Sequence, residues 1–369
     1  MNTIKRSAYI TVSFVLLILL SSWGWRGHEK ISGNAPPSFP SSMSFLLGQF
    51  STILVDSSTA ADDRKTWDDN ESPKHYIDID NYGEFIDHGK IPQSWDSVVN
   101  GPGGISFVMD NGTVPWATLA AYDSVRNCFA RQDLNKAALF AADLGHYVGD
   151  AHMPLHLTAN FNGQNTGQDD IHYRYESKMI NAYYTQIVYP FDSVQLISNV
   201  QGYIFSYIYA NYVYVDSVLK ADRDATAFAG NTNSSAYTLA LWNNSKSFTI
   251  PLFHHASFAL ASLIYTAYVE SQNMAVNEIH SDRTGLDKNY PNPAKDYTVI
   301  PFEIDQNNTF VSLKIFDALG NIKAVLLEGK MGKGRHEIKW DARGFSNGYY
   351  YCVFEADNVI NTNKLMLMH

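Results

Sequence analysis

The chain has 369 residues, enough for more than one domain, and 45% hydrophobic with 14% aromatic residues supports a well-filled core. A formal charge of -10 excludes a broadly basic groove as the main source of affinity for a long polyanion, so an anionic substrate needs positive charge supplied locally. Two cysteines far apart, Cys128 and Cys352, exclude both a disulfide framework and a thiolate metal site and read as packing residues.

Residues 1–22 have the pattern of a secretory signal peptide: Lys5 and Arg6, an apolar run from Ala8 to Leu20, then Ser21 and Ser22. A membrane anchor is the alternative, but the run is short of the ~20 residues a span needs and no basic stop-transfer cluster follows. A cut before Trp23 leaves an α-amine and a carbonyl oxygen together at the new terminus, a pair able to chelate a metal, with His28 five residues on. Trp25 is expected in the core.

Further along, AADDRK presents Asp62 and Asp63 beside Arg64, and KHYIDID presents His75 followed by Tyr76. Taken singly, the first is a solvated acidic turn and the second a packing pair. The most informative stretch follows, GHYVGDAHMPLH. A helical pattern from Asp133 to about Val148 places Ala137, Ala141, Leu144 and Val148 on one face and Leu139, Asp143, His146 and Asp150 on a neighbouring stripe. His146 and Asp150 are thus one turn apart and point the same way. Pro154 ends or kinks that helix and lets His156 swing back toward them, and His172-x3-Glu176 follows at a short interval. Imidazole and carboxylate are the ligands zinc takes when cysteine is absent. A lone His-x3-Asp pair is also a common surface ion pair, so the metal reading depends on the other acidic and histidine residues converging on it.

The helical texture continues through Phe253 to Val276, which contains neither Pro nor Gly. Ser281 to Asn289 is short and polar, as a linker is. From Tyr290 the pattern alternates: Val311, Leu313 and Ile315 against Ser312 and Lys314, a turn over Asp317 to Asn321, then Gly348 before three tyrosines. The expected architecture is therefore mainly α, a multi-helix domain over 23–280, a linker over 281–289, and a small all-β immunoglobulin-like sandwich over 290–369.

Two resemblances rest on these strings. The phrases NYPNPAKDYTVIPFEI, LKIFDALGNI, GRHEIKWDARGFSNGYYYCVFEAD and KLMLMH resemble the C-terminal sorting domain of the type IX secretion system of Bacteroidetes, over the whole of Asn289 to His369. This implies export through the periplasm to the medium or cell surface, with the secretion machinery as a partner and no stable protein partner otherwise.

Trp-x4-His, Ala-Ala-Asp, His-aromatic-x-Asp, His-x3-Asp-x5-His and His-x3-Glu occur in that order from Trp23 to about Asn277, which resembles the zinc-dependent phospholipase C and single-strand nuclease superfamily. The resemblance implies a mostly helical enzyme with three Zn2+. One is expected on Asp62, His75, His146 and Asp150; a second on the Trp23 amine and carbonyl with His28, bridged by Asp150; a third on His156, His172 and Glu176. It also implies Asp62 as orienter or base of the nucleophile, Asp150 as the joining carboxylate, and Arg64 either as a substrate clamp or as the partner of Asp63. Tyr76 either stacks on a nucleic-acid base or walls the site.

Glu176, HLTANF and HYRYES look closer to bacterial phospholipase C, whereas WGWRGH and Arg64 look closer to the nucleases. Asp63 stands where the choline-specific phospholipase has a tyrosine. The expectation is a secreted zinc-dependent phosphodiester hydrolase of phospholipase C type, with a single-strand nuclease and a zinc-binding adhesion protein as alternatives. His152, His88, His280, His336 and His369 lie outside the pattern, and His254 and His255 read as core or supporting residues. Asp143, one turn before His146, either orients a ligand imidazole or is an exposed helix acid, the commoner case.

Overall fold

The computed structural model describes residues 24–279, 284–318, 320–357 and 359–368. The expected signal peptide, the expected Trp23 chelate, His280 and His369 lie outside the described residues.

The Leu134–Asp150 helix is the axis on which the site is built. Asp133 caps it by accepting the backbone N–H of Lys136, and Ala137, Ala141, Leu144 and Val148 are fully buried on the face read from the sequence. The adjoining stripe runs inward, from Leu139 at 50% exposure to His146 and Asp150 at none. The helix stops at Asp150, and Pro154 opens a short 3-10 turn, Pro154–Leu157, that carries His156. Four other helices pack around it: Gly24–Asn34, Gln49–Asp56, Val114–Ala130 and Ser235–Ile279.

The last of these is longer than expected. It spans 45 residues, begins well before Phe253, and passes through Pro251 without ending. One backbone hydrogen bond is lost there, but Leu241, Trp242, Phe253, Leu260 and Ile264 are all buried on either side, and tertiary packing overrides the local break. Ser235–Gln272 is long and apolar enough to cross a membrane by length and composition, yet 61% of its most apolar window is buried inside the protein.

The C-terminal unit is an antiparallel sandwich of two sheets. Its strands are β1 Gly285–Leu286, β2 Tyr297–Ile304, β3 Thr309–Asp317, β4 Ile322–Met331, β5 Gly334–Asp341, β6 Gly348–Ala356 and β7 Val359–Leu367. One sheet has the order β1-β2-β5 and the other β4-β3-β6-β7. Ile300, Phe302, Val311, Leu313, Ile315, Trp340, Cys352 and Phe354 fill the space between them. The expected linker is in part a strand, because Gly285 and Leu286 pair with Glu303 and Phe302. Two residues are too few to show an alternation, which hid this strand in the sequence. The turn after β3 forms as expected, with the Asp317 carboxylate accepting the Asn321 N–H and Gly320 at φ +82°.

The sandwich meets the helical unit through polar contacts. Lys295 pairs with Asp68 at 2.8 Å and Lys364 with Asp96 at 2.9 Å, while the Arg131 guanidinium lies 3.9 Å from the centre of the Tyr290 ring.

Candidate metal centre

His146 and Asp150 meet residues from two preceding segments at the buried end of the Leu134–Asp150 helix. The short Ala60–Arg64 helix brings Asp62, and the 3-10 turn Ser72–His75 ends on His75. His75 Nδ1 lies 3.0 Å from His146 Nε2 and 3.0 Å from Asp150 Oδ2; Asp62 Oδ1 lies 3.5 and 3.6 Å from the same two nitrogens; His146 Nε2 lies 3.4 Å from Asp150 Oδ2. A tetrahedral ion with bonds of roughly 2.0–2.1 Å requires ligand atoms about 3.3 Å apart. These five distances are those of neighbouring ligands in a coordination shell. Asp62, not the exposed Asp63, is the residue brought in, although Lys65 also pairs with it at 2.6 Å.

The other oxygen of Asp150 faces a different way. Oδ1 lies 3.6 Å from His28 Nε2, and the His28 ring stacks on that of His146 with centroids 3.9 Å apart. This close approach of the Gly24–Asn34 helix depends on glycine. A β-carbon on Gly149 would lie 3.0 Å from two atoms of the His28 ring, and one on Gly145 would lie 2.9 Å from Leu260 and 3.0 Å from Ser32 Oγ. Gly145 and Gly149, one turn apart, were not singled out in the sequence, although their spacing within GHYVG is the signal that would have found them.

The third group hangs on a local irregularity. Residues Tyr173–Met179 form a π-helix, a form that recurs at functional sites. It sets His172 Nε2 2.6 Å from Glu176 Oε2, with His156 Nε2 3.2 Å from the first and 3.4 Å from the second. Glu176 Oε1 accepts the backbone N–H of Gly24, the first described residue, so the start of the first helix is tied to this group.

His28, His146 and Asp150; Asp62, His75 and His146; and His156, His172 and Glu176 are thus three groups that can hold a metal ion. The residues fit a cation on a further observation. Among the described residues, both oxygens of Asp150 and Oε2 of Glu176 are buried and the polar groups around them are imidazole nitrogens, which is costly for carboxylates unless positive charge lies among them. Burial would raise Asp150 and Glu176, but the surrounding imidazoles hold both below the ordinary carboxylate range. Burial, reinforced by the His146 ring, lowers His28 to about 3, which leaves it neutral with a lone pair to give. Backbone carbonyls fix two other rings: Ser58 C=O faces His146 Nδ1 at 2.8 Å, and His75 C=O faces His156 Nδ1 at 2.6 Å. In each case the Nε2 atom is directed at a metal group.

Other residues singled out in the sequence sit elsewhere. Among the described residues Arg64 is not paired with Asp63: its guanidinium, which stays partly exposed, donates to Asp143 at 2.9 Å and to Glu71 and Tyr147 at 3.2 Å. Asp143 thereby serves Arg64 and not an imidazole. Glu71, unnoticed in the sequence, is 1% exposed and is surrounded by Arg64, Lys74, the Tyr147 hydroxyl and His75 Nε2, the last at 3.6 Å. Burial favours its neutral form, but His75, Lys74 and Arg64 hold it ionised well below the usual range. Tyr76 is half-buried; its hydroxyl donates to Asp110 C=O at 3.2 Å and its backbone presses on Gly112.

The remaining described histidines stay apart from the groups. His152 is buried and faces Val148 C=O at 2.7 Å, His88 is exposed, and His336 stacks on Phe302. His254 and His255 are not core residues: His254 is half-buried against Asp192 at 2.8 Å and His255 is exposed. Trp25 is 54% exposed, under the Arg26 guanidinium, and so is not a core aromatic either. Cys128 and Cys352 are free and buried, as packing residues are.

No curated protein matches the chain. Among solved structures, the alpha-toxin of Clostridium absonum is similar at 11% identity and a TM-score of 0.44, over 95% of this chain and 98% of the toxin. The Clostridium perfringens alpha-toxin from an avian strain is similar at 10% identity and a TM-score of 0.44, over 94% and 97%. Residues 288–368 match the family described as the secretion system C-terminal sorting domain, so this chain is an exported protein, secreted or surface-attached in a Bacteroidetes-type bacterium, and its β-sandwich is a type IX sorting domain.

Proposed function

We propose that the helical unit is a zinc-dependent hydrolase of phosphodiester bonds, with phospholipids as substrates in the manner of a phospholipase C. The observation that carries this reading is the placement of Asp150, whose two buried oxygens face different sets of imidazoles. A carboxylate placed in this way could serve a cation on each side, and the His156–His172–Glu176 group would hold a further one. Three Zn2+ against Asp62, Asp150 and Glu176 leave a surplus of about three positive charges, which supplies the local attraction for phosphate that the acidic chain otherwise lacks. When bound, zinc contributes Lewis acidity toward phosphate oxygens and acidifies water near neutral pH.

The chain's own residues do the rest. Asp62, less buried than the other described residues of the cluster, orients the attacking water by accepting its hydrogen bond. Ser58 and His75 carbonyls face Nδ1 of His146 and His156, which keeps the two Nε2 atoms turned toward the metal groups. Arg64, held by Asp143, Glu71 and Tyr147, acts as a support of the His75 side of the cluster. Trp23 completes the His28 side if the chain is cut before it. Purified protein assayed on phospholipid vesicles and on single-stranded DNA and RNA, with and without chelator, tests the reading. Chelator-sensitive release of a phosphorylated headgroup, abolished by His146→Ala, is expected. Hydrolysis of nucleic acid alone would assign a single-strand nuclease, and no hydrolysis of either would leave a zinc-binding surface protein.

A further inference from the structure

Arg174 lies between His172 and Glu176 on the Tyr173–Met179 π-helix, points into the protein and is 7% exposed. Its Nε donates to the Tyr237 hydroxyl at 2.8 Å and to Asp222 Oδ1 at 3.2 Å; Nη2 donates to Asp222 Oδ1 at 2.9 Å and to Gln168 C=O at 3.3 Å; Nη1 donates to Asp169 C=O. Asp222 is 1% exposed and Tyr237 fully buried, and the Tyr237 hydroxyl also donates to Asp222. The second Asp222 oxygen accepts Gln168 Nε2 at 2.7 Å, and that amide also donates to Leu219 C=O at 2.8 Å. One guanidinium therefore ties the chain entering the π-helix to the Val215–Ala229 and Ser235–Ile279 helices.

Stability alone is a weak reason for such an arrangement. A buried ion pair is often no better than apolar side chains of similar volume, because desolvation consumes most of its Coulomb gain. What apolar packing lacks is direction. The segment needs it: Asp170 sits at φ +67° just before the helix, and a π-helical register is seldom stable without outside support. An arginine whose Nε and Nη2 converge on one carboxylate oxygen, while Nη1 and Nη2 also reach backbone carbonyls, fixes rotation about the helix axis, and that rotation decides whether His172 and Glu176 face His156.

We infer that Arg174, Asp222 and Tyr237 are positioning residues that hold His172 and Glu176 in the register in which the pair, with His156, binds a divalent cation. The inference rests on the metal-centre reading above. Full-length protein carrying Arg174→Met, Asp222→Leu or both is stripped of metal, titrated with Zn2+ and with Co2+, and followed by metal content per chain and by the visible Co2+ spectrum. Thermal unfolding of the stripped protein is measured in parallel.

Arg174→Met is expected to weaken the last equivalent by about 10–100-fold while leaving the others unchanged. The double variant, which leaves no buried charge unpaired, is expected to regain the unfolding temperature of the stripped wild type without regaining that equivalent. Wild-type affinity for every equivalent in the folded double variant would reduce the cluster to a structural element and overturn the inference. His172→Ala serves as the reference. If it leaves metal content unchanged, the metal-centre reading fails and takes the clamp with it, a result distinct from failure of the clamp alone.

Discussion

Gly149 and the imidazole of His28 touch: a β-carbon at Gly149 would stand 3.0 Å from Cε1 and Nδ1 of the ring. The absence of a side chain is thus what allows two helices to bring His28 beside Asp150. Gly149→Ala is expected to push the His28 ring away, since the ring is already stacked on His146 and has no free direction. Overpacking of this kind costs about 1–3 kcal/mol, a modest fall in unfolding temperature for a protein of this size. The selective consequence is one metal equivalent lost per chain, read by elemental analysis. A variant that keeps all its metal would show that His28 is not a ligand.

Asp150→Asn should act differently from any histidine substitution. The amide keeps the shape but removes the charge that faces His28 on one side and His75 and His146 on the other. Metal is expected to be lost from both sides at once, whereas His172→Ala should empty only its own group. Counting equivalents in the two variants distinguishes a joining carboxylate from an ordinary ligand: equal losses would mean that Asp150 serves one ion.

Glu71 stands behind His75 as Asp150 stands in front. Its carboxylate, held ionised by Arg64 and Lys74, lies 3.6 Å from the outward nitrogen of the ring, so it favours an N–H there and a lone pair on the inward Nδ1. Glu71→Gln should weaken metal binding by about 10–100-fold with the fold intact. Arg64→Met should do likewise if its part is to hold Glu71, and the double variant should then be no worse than either single one. Additive losses in the double variant would give Arg64 a separate part, such as a contact with substrate.

Much of this was legible in the chain. The Leu134–Asp150 helix is legible in a period of 3.6 that starts at Asp133, and Pro154 marks its end, so local rules alone place His146, Asp150 and His156. Asp62, His75, His172 and Glu176 were named from the order of short motifs, which says nothing about distance; their convergence is a tertiary fact. Glu71, Tyr147 and Arg174 escaped notice because supporting residues carry no fixed spacing from the ligands they support. The π-helix and β1 escaped for a related reason. One is a register chosen by outside contacts, and the other is two residues long.

The two thiols offer a pH test independent of metal. Burial pushes the Cys352 thiol up to about 12, and burial also raises Cys128 despite the nearby Arg131. An acid whose folded value exceeds its unfolded one, here 9.0, favours the fold only while both states stay protonated. Its contribution is complete below pH 9 and declines as pH rises toward 12, where the unfolded chain ionises first. Native protein at pH 8 is therefore expected to give no reaction with a thiol reagent such as Ellman's and two equivalents in denaturant. Reaction in the native state would show that the core around one of them opens.

The boundary of the sorting domain predicts where the chain can be divided. Because Gly285 and Leu286 pair with β2, a cut near Tyr290 would strip an edge strand from the sandwich and expose the hydrogen-bonding edge of Phe302 and Glu303. A chain ending at Ile279 is expected to keep its metal and lose export to the medium, since it retains every described ligand but no sorting domain. The complementary test joins residues 284–368 or 290–368 to an unrelated exported reporter. The longer piece should carry the reporter out efficiently, and the shorter one should do so less well or arrive degraded, because its edge strand is missing. Equal export of both would show that β1 belongs to the sandwich in structure but adds nothing to recognition by the secretion machinery.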